Sequence, residues 1–149
     1  MLVSSYRLED IVPHRPPMLL IDGIVDFDAD AQSVVAEVRV KPEWAGSHVA
    51  IEYMAQAAAA LVGLNDRLSS ATSPARPGFL LGTRRLDLKV PSFEVGRRYL
   101  VSAKVAFADG EAASFECEMR DGDAVVASAI LNAYRPEDVE QFLKEQSIA

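Results

Sequence analysis

The sequence is poor in cysteine, in histidine and in long apolar runs, and each shortage excludes a class of protein. Its single cysteine, Cys117, has no second thiol with which to form an internal disulfide or a zinc site. The two histidines are far apart and offer no metal-ligand spacing, so no metal or cofactor is predicted. No uncharged apolar run reaches the roughly 18 residues that a membrane span needs. The first residues show no secretory signal pattern, so a cytoplasmic location is expected.

Positive charge is also scarce, because the net charge is −7. A nucleic-acid partner needs a dominant basic footprint, which this sequence lacks. The basic residues of the second half are nevertheless grouped: Arg84, Arg85, Lys89, Arg97 and Arg98. They are either ordinary solvated strand ends or a local patch on which an acidic carrier protein docks.

The length and the patterning of the chain indicate one domain over residues 1–149. Alternating or continuous apolar residues predict strands over 18–27 and 34–41, joined as a hairpin. Four further strands are predicted over 79–90, 99–108, 112–120 and 124–134. The Asp-Gly pairs at 109–110 and 121–122 favour hairpins between the last three. A short helix is predicted over 137–146.

One segment between these strands predicts a long helix. Residues 47–64 are rich in Ala, Leu and Met, and Ser47 is a plausible N-cap. Apolar residues cover nearly every side, so the helix is expected to be buried. A polar loop is predicted over 65–78. The order of elements predicts an α+β fold in which a curved antiparallel sheet wraps around one long buried helix.

The predicted helix carries a thin polar stripe. His48, Glu52 and Gln56 are spaced four residues apart, which places them along one side. A carboxylate on a buried helix is costly unless it is paired. Glu52 is therefore a salt-bridged or solvent-facing residue, a member of a structural polar network, or a functional acid. The apolar surroundings favour the functional acid.

Three segments resemble the FabZ-type 3-hydroxyacyl-carrier-protein dehydratases of the hot-dog superfamily. Residues 52–56 (EYMAQ) resemble the family's helix motif, and residues 12–22 (VPHRPPMLLID) resemble its opening segment. Residues 89–91 with Val95 and Gly96 resemble a later strand pair. The resemblance implies a hot-dog fold and the dehydration of 3-hydroxyacyl thioesters to trans-2-enoyl thioesters. The substrate would be carried by acyl carrier protein or coenzyme A, in fatty-acid or polyene-type biosynthesis.

One departure from the family concerns the catalytic histidine. In the family it lies in a Gly-His-Phe-Pro loop before the acid, and that loop is missing here. The compact stretch 44–48 resembles a shorter branch associated with aryl-polyene pathways. Either His48 has taken over the role of the base, or the machinery has been altered or lost.

The predicted site therefore lies at the start of the long helix. His48 is expected to act as the base and Glu52 as the acid or orienting group. Polarised N–H groups at the helix start could receive the thioester oxygen. The predicted substrate-binding residues are Trp44, Gly46, Ser47, Val49 and Gln56. His14, which lies among prolines, is expected to cap or pack.

The sequence also predicts an assembly of subunits, and it leaves two alternative functions open. A single sheet with an open edge predicts a homodimer or a larger assembly, including a heterodimer with a related hot-dog subunit. A hot-dog thioesterase would direct the helix acid at water instead of a hydroxyl group. A non-catalytic acyl-binding subunit that pairs with an active homologue is the other alternative.

Overall fold

A computed structural model describes residues 7–69 and 79–134 of the chain. Two 3-10 turns, Pro42–Trp44 and Ser47–Val49, precede the long helix. The helices and strands, in chain order, are α1 Leu8–Ile11, β1 Gly23–Asp28, β2 Ser33–Arg39, α2 Ala50–Ser69, β3 Phe79–Leu88, β4 Arg98–Asp109, β5 Ala112–Asp121 and β6 Ala124–Tyr134.

The strands form one six-stranded antiparallel sheet in the order β1-β2-β4-β5-β6-β3. Helix α2 packs mainly against β4 and β2, and the buried core lies between them. This is the hot-dog arrangement that the sequence predicts, and the prediction is confirmed. The predicted hairpins are also present, with Gly110 and Gly122 at positive φ angles of 61° and 59° in the turns.

Strand β3 does not lie beside its successor in the chain. It pairs with β6 at the edge of the sheet, and two strands, β5 and β6, separate it from β4. The connection from β3 to β4 passes the start of α2, where the Phe93 N–H donates to the Ala45 oxygen over 2.7 Å. The Gly96 N–H donates to the Val40 oxygen over 2.8 Å. This crossover therefore fixes the segment from which α2 begins.

Two predicted boundaries are corrected. Residues 18–22 are not part of β1, which begins at Gly23. Helix α2 begins at Ala50 after a 3-10 turn, so Ser47 is not its N-cap, and it continues to Ser69. The extension is stabilised by tertiary contacts, because the Asn65 amide donates to Gln32 Oε1 over 2.8 Å. Residues 70–78 and the helix predicted over 137–146 lie outside the described residues.

Helix α1 docks closely on α2. Gly63 faces the backbone of Ile11 so closely that an added Cβ would overlap the Ile11 carbonyl oxygen. One turn further on, the Arg67 guanidinium donates to the Asp10 carbonyl oxygen over 3.1 Å. The segment that follows α1 is consequently fixed against the middle and the start of α2.

Substitution of Gly63 by Ala is expected to lower the free energy of unfolding by about 2 kcal/mol, because the new methyl group overpacks the contact with Ile11. Chemical denaturation measures the change. Gly82→Ala is the matched control, since Gly82 has open space around the position of its missing Cβ. Equal stabilities of the two variants would contradict the close docking of α1 on α2.

Within residues 7–69 and 79–134, no helix combines the length and the apolar character of a membrane span. The cytoplasmic location stays a prediction.

Candidate active site

Glu52 lies in the first turn of α2 and meets two partners there. Its Oε1 accepts a hydrogen bond from Gln56 Nε2 over 2.9 Å. The same oxygen lies 3.6 Å from His14 Nε2, which is too long for a hydrogen bond but within ion-pair range. The Glu52 side chain is 38% exposed. The expectation of a buried acid is therefore corrected: Glu52 sits at an opening, between a histidine and an amide.

Gln56 connects the acid to the segment that follows His14. It is completely buried, and its Oε1 accepts from the Leu20 N–H over 2.8 Å. Its Nε2 donates to the Met18 oxygen over 2.7 Å as well as to Glu52. Both polar atoms of Gln56 are thus engaged within the protein. The structure places Gln56 as a support for Glu52 and for segment 18–21, which differs from the predicted contact with substrate.

His14 is held in place by its neighbour. The Arg15 guanidinium donates to the carbonyl oxygens of Glu9, Val12 and His14 itself, at 2.8–2.9 Å. Because α1 docks on α2, this fixed loop presents the imidazole to Glu52. His14 Nδ1 is buried and has no hydrogen-bond partner among the described residues. Burial lowers the pKa of His14, the Glu52 charge partly opposes this shift, and Arg15 adds to it.

His48 has different surroundings. It belongs to the 3-10 turn before α2, and its side chain is exposed. Its ring lies against Gly46, where an added Cβ would come within 2.5 Å of the imidazole Cε1. Across the part of the chain that the structure describes, His48 has no ion pair with a carboxylate. The role of His48 as the base stays a prediction, and the geometry favours His14 in its place.

The other predicted substrate-binding residues form the frame around the start of α2. The Val49 N–H already donates to the Gly46 oxygen over 3.0 Å. The Trp44 oxygen accepts from the Tyr53 hydroxyl over 2.7 Å, and burial raises the pKa of Tyr53 to about 12, which keeps this donor protonated. Gly46 also forms a β-bridge with Ser92. The proposed use of the Gly46 and Ser47 N–H groups by substrate stays a prediction.

A cleft of about 670 Å³ opens beside the His14–Glu52 pair. It runs between α2 and the β3–β6–β5 side of the sheet, where the helix makes few contacts. Its wall on α2 consists of one helical face: Glu52, Ala55, Ala58, Ala59, Val62, Gly63 and Asp66. Within the described residues, Trp44, Gly46, Ser47, Val49 and Gln56 do not line it. The cleft places the His14–Glu52 pair at the mouth of a largely apolar space.

The five predicted patch residues do not form one surface. Arg84 and Arg85 are exposed on β3, whereas Arg97 and Arg98 lie at the start of β4, and β5 and β6 lie between these two strands. Arg97 pairs with Glu94 and with Asp121, the latter over 3.0 Å.

The remaining two basic residues also have acidic neighbours. Arg98 pairs with Glu37 over 2.7 Å, and Lys89 Nζ lies 3.9 Å from an Asp87 oxygen. The charges of Arg97 and Arg98 are therefore largely neutralised by their acidic partners. The docking patch stays a prediction, and it is reduced to Arg84 and Arg85.

Comparison with known proteins identifies the family. The family model described as ApeP-like, ApeP dehydratase, matches residues 6–144. The chain belongs to this ApeP-like family. Within solved structures, the ApeP-like chain is similar to the dehydratase heterocomplex ApeI:P from Xenorhabdus doucetiae, with a TM-score of 0.81 and 25% identity over 93% of this chain and 96% of that one.

One further relative and one protein of the same fold extend the comparison. The FabZ 3-hydroxyacyl-[acyl-carrier-protein] dehydratase of Chlamydia pneumoniae is 36% identical over 81 residues, which are 44% of the ApeP-like chain and 53% of that protein. The chain thus spans about half the length of the curated relatives it matches. An HP0420 homologue from Helicobacter felis shares the fold, with a TM-score of 0.66 and 10% identity over 87% of this chain and 88% of that one.

The position of His14 beside Glu52 was not predicted from the sequence. The only available signal was that it is one of two histidines in the chain and lies in a segment that Arg15 and the prolines make rigid. His14 and Glu52 are far apart in sequence, so no helix or strand period relates them. Only the docking of α1 on α2 reveals their contact.

Proposed function

We propose that this ApeP-like protein dehydrates 3-hydroxyacyl thioesters to trans-2-enoyl thioesters. The observation that carries the proposal is the contact of His14 with Glu52 at the mouth of the cleft. Membership of a family described as dehydratases supports the same reaction. The FabZ relatives support acyl-carrier-protein thioesters as the substrates.

The two side chains divide the reaction between them. Neutral His14 removes a proton from the carbon beside the thioester carbonyl. Glu52 takes up this proton from His14, across the 3.6 Å that separate them, and gives it to the departing hydroxyl group, which leaves the third carbon as water. The two carbons then share the new double bond. The relay returns His14 to its neutral form and Glu52 to its carboxylate form.

Product analysis tests the reaction. A 3-hydroxyacyl thioester should give the absorbance of a conjugated enoyl thioester and no free thiol. Free thiol without enoyl product would indicate hydrolysis and would replace the proposal by the thioesterase alternative. The assay should use the purified chain alone and the chain together with any hot-dog subunit that co-purifies with it.

The pH dependence of kcat/KM is expected to show an acidic limb that lies below pH 6.5. The base must be neutral to accept a proton, and burial lowers the pKa of His14 from its ordinary value of 6.5. Activity is therefore retained as the pH falls to 6.5 and is lost only below it, where His14 becomes protonated. Rates measured in a constant-ionic-strength buffer series check this. A limb above 6.5 would contradict His14 as the base.

We also propose that the chain works in an assembly with at least one further hot-dog subunit. The similar structure from Xenorhabdus doucetiae is described as a heterocomplex, which supports a related partner. Strand β3 lies at an edge of the sheet and carries the exposed side chains of Leu80 and Leu86. An edge of this kind favours strand pairing with another chain. Sedimentation of the chain alone and after co-expression with its partner distinguishes a homodimer from a heterodimer.

The exposed Arg84 and Arg85 are proposed to guide an acidic carrier protein to this edge. Such guidance acts through long-range attraction, so binding of the carrier should weaken as salt is raised.

A further inference from the structure

Helix α2 carries two kinds of alanine. Ala57 and Ala60 are completely buried, as expected for residues that pack closely within the core. Ala55 and Ala59 lie on the cleft face and are only half-buried. These last two belong to the same helical face as Glu52, because positions three and four residues apart lie on one side of a helix. The small side chains on this face therefore leave an open space beside the helix, whereas those in the core let neighbouring elements pack closely against it.

The opposite wall of the cleft also contains small residues, beside larger ones such as Phe115 and Leu131. Ala113 of β5 and Ala133 of β6 are direct partners across the sheet, and both line the cleft. Ala133 in turn pairs with Leu80 of β3, which lines it too. Alanine on both walls explains why the space of about 670 Å³ persists, and this volume lies in the usual range for small-molecule sites.

The cleft is long. Its wall on α2 extends from Glu52 to Asp66, which corresponds to about 21 Å along a helix axis. The reactive pair lies at one end, so a substrate bound there must extend along the apolar face. An acyl chain has the required slender shape and apolar character.

We propose that Ala59 determines which acyl chains this cleft admits, because its small side chain permits long chains to enter. The inference rests on the proposed function for the position of the reactive end. Ala59 lies about 10 Å from Glu52 along the helix axis, so a short acyl chain ends before it and a long chain passes it. A larger side chain at position 59 is expected to obstruct long chains only.

The variant Ala59→Leu tests this with two carrier-bound substrates. For the 3-hydroxydodecanoyl thioester, kcat/KM should fall by about tenfold or more, because the added side chain occupies space that the chain needs. For the 3-hydroxybutyryl thioester, kcat/KM should stay close to the unsubstituted value. Equal losses for both substrates, or no loss for either, would overturn the proposal.

Two further variants keep the test independent of a single substitution. Ala113→Leu narrows the same cleft from the opposite wall and should produce the same discrimination between chains. Ala124→Leu is the matched control, because Ala124 is exposed at the start of β6 and does not line the cleft. If Ala59→Leu instead changes the mass of the assembly while its chain-length preference stays the same, the face belongs to a partner subunit and the proposal fails.

Binding without chemistry separates this inference from the proposed reaction. Calorimetry with dodecanoyl-pantetheine and butyryl-pantetheine, which lack the 3-hydroxyl group, should show tighter binding of the longer chain to the unsubstituted protein. Ala59→Leu should abolish the difference. If the protein binds the longer chain more tightly but has no dehydratase activity, the proposed reaction is refuted and the acyl site is supported. Equal binding of both probes would refute the acyl site itself.

Discussion

Replacement of His14 by Asn is expected to lower kcat/KM by about 10²- to 10⁴-fold, the usual loss when a general base is removed. His14 is the histidine that lies beside Glu52, at 3.6 Å between Nε2 and Oε1. The matched variant His48→Asn should leave kcat/KM nearly unchanged, because the His48 side chain is exposed and lies against Gly46. Steady-state rates with one 3-hydroxyacyl thioester measure both effects.

The two histidine variants also distinguish catalysis from stability. His14 has no hydrogen bond through the imidazole nitrogens among the described residues, so Asn should preserve the fold. Thermal denaturation of each variant provides the control. If His48→Asn is inactive and His14→Asn is active, the base is the one that the sequence predicted, and the observed contact of His14 has another purpose.

Substitution of Glu52 by Gln is expected to reduce turnover by about 10³-fold or more, because the amide cannot donate the carboxylic proton to the leaving hydroxyl group. The shape of the side chain is preserved, and its oxygen can still accept from Gln56 Nε2. The fold should therefore be intact, as circular dichroism and denaturation would show.

Glu43→Gln is the control for the loss of one carboxylate near the start of α2. Glu43 is exposed in the first 3-10 turn and lies outside the described lining of the cleft. Its substitution should leave turnover nearly unchanged. An unchanged rate in a well-folded Glu52→Gln variant would remove Glu52 from the mechanism.

The fold was predictable because its determinants are local. Alternating residues such as Val34, Ala36 and Val38 are all buried on one side of β2, as a strand period of two requires. The glycines of two Asp-Gly pairs adopt the positive φ angles that hairpin turns favour. The crossover of β3 was not predictable in the same way, because the partner of an edge strand depends on long-range packing.

The site was predictable only in part. Glu52 and Gln56 keep the helical spacing, and their hydrogen bond of 2.9 Å follows from it. His48 is also four residues from Glu52 in sequence, but it lies in a 3-10 turn whose geometry departs from that of the helix. Helical periodicity therefore could not be extended to it.

The contact of His14 with Glu52 arises from tertiary structure. Gly63 allows α1 to approach α2, and Gln56 holds the chain after His14 through Met18 and Leu20. None of these contacts has a signature in the local sequence pattern. This is why the histidine within the prolines was expected to have only a packing role.

In the proposed mechanism, His14 and Glu52 act as one catalytic unit on a 3-hydroxyacyl thioester. A double-mutant cycle tests it most directly, with kcat/KM measured by enoyl absorbance for His14→Asn, Glu52→Gln and the double variant. Residues that act together show strongly non-additive losses. The double variant should therefore be only a little less active than the less active of the two single variants. Losses that multiply would show that the two side chains act independently and would contradict the account.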